Sequence, residues 1–260
     1  MTNQRVHHLN CGTMTPLAAS AMVAHVLLVE RAEGLLLVDT GFGSADLAHP
    51  RRLGQPFRAV VRPVLDAAET ATARIRALGL DPADVTDIVL THLDLDHVGG
   101  IGDFPRARVH VHATELEAAL RPSLRERARY VAGQWAHDPT WVPHRAGGDA
   151  WFGLESVTAV DDDVLLVPLH GHSRGHSGVA VRRPDGHWLL HAGDAYFHAG
   201  ELRTPPTCPR VLRVFQSVLA HADGQRRANA ERVRALHADH GDEVTVFSAH
   251  DAAELAALQT

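Results

Sequence analysis

The stretch Thr91-His92-Leu93-Asp94-Leu95-Asp96-His97 places four strong metal ligands within six residues, directly after the apolar run Ile88-Val89-Leu90. In extended backbone, alternate side chains point the same way, so His92 and Asp94 share one face while Asp96 and His97 turn toward a second position. Gly99 and Gly100 then suit a tight strand-to-helix connection, with the ligands held at the strand end. A chain built this way needs a rigid sheet beneath the motif and further ligands arriving from elsewhere.

Those further ligands recur at one kind of place. Val164 to Leu169 reads as a strand and is followed by His172; His187 to Leu190 ends before Asp194; Val244 to Phe247 ends before His250. Each of these residues alone has a commonplace explanation as a hydrogen-bonded histidine or a turn aspartate. Four apolar strands each ending in a donor point to convergence on one rim of a sheet scaffold. The chain carries 20 histidines in 260 residues, an excess that favours metal chemistry.

The remaining pattern is mixed α and β. Val23 to Val29 and Leu35 to Val38 form a hairpin ending at Asp39-Thr40-Gly41, and Ser177 to Val181 pairs with His187 to Leu190. Asp66 is positioned to cap a helix through Leu78, Thr114 one through Leu120, Asp223 one to about His240, and Asp251 the terminal helix. Residues 121–153 lose periodicity and collect Trp135, Trp141 and Trp151, which suggests an aromatic lid over a site or a satellite core. No linker or repeat divides the chain, so residues 1–260 read as one domain.

Composition narrows the function classes. A net charge of −6 and a pI near 6.4 argue against nucleic acid as partner. The cluster Arg121, Arg125, Arg127 and Arg129 reads as a solvated helix face. Two cysteines, Cys11 and Cys208, make neither a disulfide framework nor a cysteine-rich metal site, and suit free thiols in the cytoplasm. Neither a signal core in Met1 to His8 nor a membrane-length apolar run is present, so no membrane partner is expected.

Taken in order, Leu37-Val38-Asp39-Thr40-Gly41, Thr91 to Gly100, Gly171-His172-Ser173-Arg174-Gly175-His176, Gly193-Asp194 and Ala249-His250-Asp251 resemble the metallo-β-lactamase superfamily. The resemblance runs from about residue 20 to 255 and implies an αββα sandwich, two mixed sheets face to face with helices outside. It also implies a dinuclear centre, with His92, Asp94 and His172 on one ion, Asp96, His97 and His250 on the other, and Asp194 bridging. His176 and Asp39 would support the ligands from behind. The superfamily's usual residue at position 94 is histidine; here a carboxylate adds negative charge and a harder donor. Asp94, Asp96 and Asp194 would then offset three of the four charges on two divalent ions, moving preference from zinc toward manganese or iron.

Such a pair of ions makes a hydroxide nucleophile from shared water, which favours hydrolysis. Asp96 is then a candidate proton acceptor, and Tyr196, or more weakly His198, a candidate donor to the developing oxyanion. Among superfamily members the pattern is most similar to quorum-quenching lactonases, so a lactone or small carboxylic ester is the expected substrate. Thioester or phosphodiester hydrolysis on the same centre is an alternative. So is a di-iron oxidoreductase related to flavodiiron proteins, which carry a carboxylate at position 94. Oligomeric state stays open, a homodimer through the tryptophan segment included.

Overall fold

The computed structural model describes residues 5–17, 19–145 and 147–259; Met1 to Gln4, part of the N-terminal stretch considered above, lie outside them. One sheet contains β1 (Arg5–Met14), β2 (Met22–Arg31), β3 (Gly34–Val38), β4 (Val85–Val89), β5 (Arg108–His112) and β6 (Thr140–His144), in that spatial order. A short hairpin follows, formed by β7 (Ala150–Trp151) and β8 (Leu154–Glu155). The second sheet contains β9 (Val157–Thr158), β10 (Val164–Pro168), β11 (Ser177–Arg182), β12 (Trp188–His191) and β13 (Val244–Phe247), ordered β13-β12-β11-β10-β9. Both sheets are mixed: β3 to β6 run parallel, as do β12 and β13, and the other pairs are antiparallel.

Side-chain alternation explains why the sheets stack. In β2 and β3, Leu27, Val29, Leu36 and Val38 face one way and meet Val164, Leu166, Val179, Val181, Leu189 and Phe247 of the second sheet. The opposite face of the first sheet, with Val26, Leu28, Leu37 and Ile88, is covered by Ala71 and Ile75 of α3 (Ala71–Ala77) and Leu116 and Ala119 of α5 (Ala113–Leu120). The outer face of the second sheet, with Val167, Ala180, Leu190 and Val246, packs on Val233 and Leu236 of α7 (Asp223–Asp239). This is the expected αββα order. The short helices α1 (Ser44–Ala48), α2 (Gln55–Val60) and α4 (Leu95–Val98), with α6 (Arg210–Leu219) and α8 (Ala252–Leu258), complete the chain.

Three helix starts differ from the sequence reading. Asp223 is the first residue of α7, whose cap position is Ala222 with no side-chain cap. Asp66 caps only a short 3-10 turn, and the Thr70 hydroxyl, accepting from Ala73 N, starts α3. At α5 the cap is His112, whose Nδ1 accepts from Thr114 N, leaving Thr114 inside the helix.

Register places the donors on one rim. His191 is paired with Phe247 across the parallel β12–β13 pair, so Asp194 and His250, each three residues further on, emerge together. Val38 pairs with Val89 in parallel β3–β4, which brings Asp39 beside the start of the 91–97 turn. The backbone also joins the loops: Ala249 N donates to Gly193 O and Ser177 N to Thr91 O.

Candidate metal centre

Seven side chains from four strand ends meet in two adjoining groups: His92, Asp94, His172 and Asp194, and then Asp96, His97 and His250, with donor atoms in each group within 4.8 Å of one another. His92 Nε2 lies 3.7 Å and His172 Nε2 3.2 Å from Asp194 Oδ2, while His97 Nε2 and His250 Nε2 lie 3.3 and 3.0 Å from Asp194 Oδ1. Asp194 therefore turns one oxygen to each group, the placement a bridging carboxylate needs. Asp94 Oδ2 is 3.0 Å from His172 Nε2 and 3.5 Å from His92 Nε2, so this carboxylate does reach the first group. Asp96 Oδ2 sits 3.8 Å from His250 Nε2.

The residues fit metal ions. His92 Nε2, His97 Nε2 and Asp194 Oδ1 are buried with no hydrogen-bond partner, a costly state unless a cation takes their lone pairs. Donors that share an ion at ~2.0–2.1 Å stand about 3.3 Å apart in a tetrahedron, close to the separations above.

Tautomers are fixed from behind. Asp39 Oδ2 accepts from His97 Nδ1 at 2.8 Å and from the Thr91 hydroxyl, and Thr91 Oγ1 in turn accepts from His92 Nδ1 at 3.0 Å. His250 Nδ1 donates to Val23 O. In their neutral form all three rings therefore leave the Nε2 lone pair free for the centre, as ligand histidines require. Asp39 holds this post at a left-handed φ of 58°, a conformation aspartate tolerates better than most residues. His176 donates from Nδ1 to Leu169 O and accepts at Nε2 from Asp194 N, so it anchors the backbone of Asp194. Gly193 lies at φ +54, and a Cβ there would stand 2.6 Å from His176 Nε2, which restricts the position to glycine.

Electrostatics follow the geometry. Burial pushes Asp194 up, but His250, His97, His172 and His92 outweigh it and hold it well below the carboxylate range. Burial likewise opposes Asp94 ionisation, and the Arg129 guanidinium, with His92 and His172, overcomes it and leaves the group far below its usual value.

Arg129 was not foreseen. Its Nη1 donates to Asp94 Oδ1 at 3.0 Å and Oδ2 at 2.8 Å, and its Nη2 to Leu219 O. Arg125 of the same segment donates to Val218 O and Ala220 O. The expected solvated helix face is thus an irregular segment with one 3-10 turn, Glu126–Ala128, and two of its arginines are tied to the end of α6, Arg129 to Asp94 as well. Glu115 was also missed. Fully buried, it accepts from Leu93 N, the Tyr130 hydroxyl, the Ser173 hydroxyl and Gly175 N, clamping the 91–97 turn to the 171–176 turn.

A cavity of 460 Å³ opens onto Asp94, Asp96, Asp194 and His250; its walls are chiefly apolar and include Met22, Phe57, Leu95, Phe197, Leu212 and Phe215. None of the tryptophans lines it. Trp135 is buried in the core of the first sheet, Trp141 packs against it, and Trp151 belongs to the core of the second sheet, against Trp188. Of the two readings of these tryptophans, lid or satellite core, they take the core one, and segment 121–153 reaches the cavity through Arg125, Glu126, Ala128 and Arg129 instead. Tyr196 is also displaced from its expected role: its ring is buried in the second-sheet core, its hydroxyl donates to Glu254 Oε1 at 2.9 Å, and it is not part of the cavity wall. His198 caps a 3-10 turn by accepting from Gly200 N, and likewise does not line the cavity.

Comparison with known proteins agrees with this arrangement. A sequence profile described as the Metallo-beta-lactamase superfamily matches residues 20–250. A probable metallo-hydrolase of Mycobacterium tuberculosis is 48% identical over 95% of this chain and 80% of its own length. The N-acyl homoserine lactonase AttM of Azorhizobium caulinodans is 31% identical over 74% of this chain and 73% of its own. Among solved structures, an N-acyl homoserine lactone hydrolase with the product N-hexanoyl-L-homoserine at its catalytic metal centre superposes with a TM-score of 0.74, at 19% identity, covering 99% of this chain and 97% of that one. AidC, described as a dizinc quorum-quenching lactonase, gives a TM-score of 0.60 at 16% identity, over 88% of this chain and 73% of that one.

Proposed function

The chain belongs to the metallo-β-lactamase superfamily as a metal-dependent hydrolase, and from that premise we propose that it opens a lactone or cleaves a small carboxylic ester with an apolar acyl group. The observation that carries this is the apolar cavity ending directly on the paired donor clusters. A substrate that places its acyl chain among Phe197, Leu212 and Phe215 would bring its carbonyl to the carboxylate and imidazole donors. The lactonase relatives and the product-bound structural neighbour support the same substrate class.

Two divalent ions, when bound, would lower the pKa of a shared water and polarise the substrate carbonyl. We assign zinc to both positions, with manganese or iron as the test's alternatives; the dizinc neighbour supports zinc. The chain's own residues do the rest. His92, Asp94 and His172 would hold one ion, Asp96, His97 and His250 the other, with Asp194 between them. Asp96, on the cavity wall, is placed to take a proton and pass it to the leaving alkoxide. The apolar wall excludes bulk water from the carbonyl.

The cavity offers poor recognition for a phosphodiester, since Arg125 and Arg129 are committed to backbone carbonyls and to Asp94. We place the protein in the cytoplasm, which the free thiols of Cys11 and Cys208 suit. Among the described residues no helix is long and apolar enough to cross a membrane. A homodimer would need an interface other than the tryptophans, which pack into or against the chain's own cores.

A panel of lactones, aryl esters, thioesters and phosphodiesters, run on protein loaded separately with zinc, manganese and iron, tests the proposal. Turnover of lactones or esters at least about a hundredfold above the other classes, lost in His97→Ala, is expected. Preferred phosphodiester or thioester turnover, or an iron absorbance band without any hydrolysis, would overturn it.

A further inference from the structure

Asp94 stands where a neutral imidazole is usual, and the structure sets a guanidinium directly against it. Arg129 makes two hydrogen bonds to the Asp94 carboxylate, and its side chain is largely buried on the wall of the catalytic cavity. Its second terminal nitrogen is fixed on Leu219 O at the end of α6, so the head group cannot swing away without breaking that contact. No other cation is paired with the carboxylates of Asp94, Asp96 or Asp194 among the ion pairs of the described residues, histidines aside. A buried guanidinium of this kind has its charge offset by one carboxylate, and it offsets that carboxylate in return.

We propose that Asp94 and Arg129 act as one charge-balanced unit in place of the missing imidazole. Asp94 supplies the oxygen donor and Arg129 cancels the added charge, keeping the first ion as electrophilic as a histidine at position 94 would. Arg129 is thus a positioning residue that acts through Asp94. Its effect also removes the charge-based ground for expecting a shift from zinc toward manganese or iron, because the site's net charge is the same as with histidine, and leaves only the harder oxygen donor.

The inference rests on the metal-centre assignment, and it is tested by metal affinity rather than turnover, so it can fail while lactone hydrolysis stands. Zinc dissociation constants would be measured by competition with a chromophoric chelator for wild type, Arg129→Met, Arg129→Lys, Asp94→His and Asp94→His/Arg129→Met. Removing the cation leaves an extra negative charge, so Arg129→Met should bind zinc at the position held by Asp94 about tenfold more tightly while kcat falls. Asp94→His leaves the cation unbalanced and should bind about tenfold more weakly, and the double variant should return to within about threefold of wild type. Arg129→Lys should stay near wild type because the charge remains.

Opposed single effects that cancel in the double variant are the signature of charge balance. If Arg129→Met weakens binding or leaves it unchanged, Arg129 merely props Asp94 and the proposal is wrong. If Arg129→Met does not fold, the Asp94→His pair decides alone: no recovery of affinity on removing Arg129 from Asp94→His overturns it.

Discussion

The hydroxyl of Tyr196 donates to Glu254 Oε1, and Ser248 N donates to Glu254 Oε2. Burial lifts Glu254 to about 7 in spite of these donors. Folded Glu254 therefore holds its proton more tightly than the unfolded chain, whose value is near 4.5. The stability this gives is full below about 4.5 and is lost as pH rises through about 7. Above that pH the carboxylate is charged, and the Tyr196 hydrogen bond becomes charge-assisted and stronger. Tyr196→Phe should cost about 1 kcal/mol at pH 5 and about 2 kcal/mol at pH 8 in urea unfolding, with kcat for the best lactone or ester changed by less than about threefold. A loss of about a hundredfold in kcat without loss of fold, the usual effect of deleting an oxyanion donor, would restore Tyr196 to the chemistry. Position in the chain put Tyr196 near Asp194, but sequence carries no sign of which way a ring turns. The donors that meet in the two clusters were legible because each closes an apolar strand within a local motif. Arg129 and Glu115 were not, since their partners lie 35 residues away at Asp94 and 58 away at Ser173, and only the folded chain brings them together.

α6 was not anticipated at all. Its apolar residues Val211, Leu212, Val214, Phe215, Val218 and Leu219 fall on one amphipathic stripe, yet Val211, Val214 and Val218 are exposed while Leu212 is buried, so the stripe does not face a closed core. That distribution makes sense once the cavity is seen, because Val211, Leu212, Phe215, Val218 and Leu219 all contribute to its wall. The last turn of any helix leaves carbonyls unpaired. Here Arg125 and Arg129 take those of Val218, Leu219 and Ala220, tethering the helix to the segment that holds Asp94. If α6 is the acyl-binding wall, Phe215→Ala should raise KM for a long-chain lactone or ester by about tenfold, the worth of one apolar side-chain contact. kcat should stay within about threefold, and acetyl or propionyl substrates should be nearly unaffected. Equal losses for short and long acyl chains in steady-state kinetics would place the acyl group elsewhere.

At the scale of the whole molecule, the two sheets contribute unequally to one centre. His92, Asp94, Asp96 and His97 follow a strand of the first sheet; His172, Asp194 and His250 follow strands of the second. The apolar layer between the sheets ends below this rim, at residues such as Val38, Val89 and Phe247. Beyond that layer, carboxylates and imidazoles face one another, with several of their atoms unpartnered and buried. Ions held there would join the sheets at the edge where hydrophobic packing stops, so metal binding should count as folding free energy. Stripping the ions with a chelator should lower Tm by roughly 5–10 °C, corresponding to about 3 kcal/mol in a chain of this size. Amide exchange should rise at the rim turns, residues 91–98, 171–176, 193–195 and 249–251, while β2, β3 and β11 keep their protection, because the layer they share is intact without metal. Restoring zinc should reverse both changes. An unchanged Tm, with exchange at the rim as slow as before chelation, would mean that the sandwich closes this edge by itself and that the donor clusters add nothing to its stability.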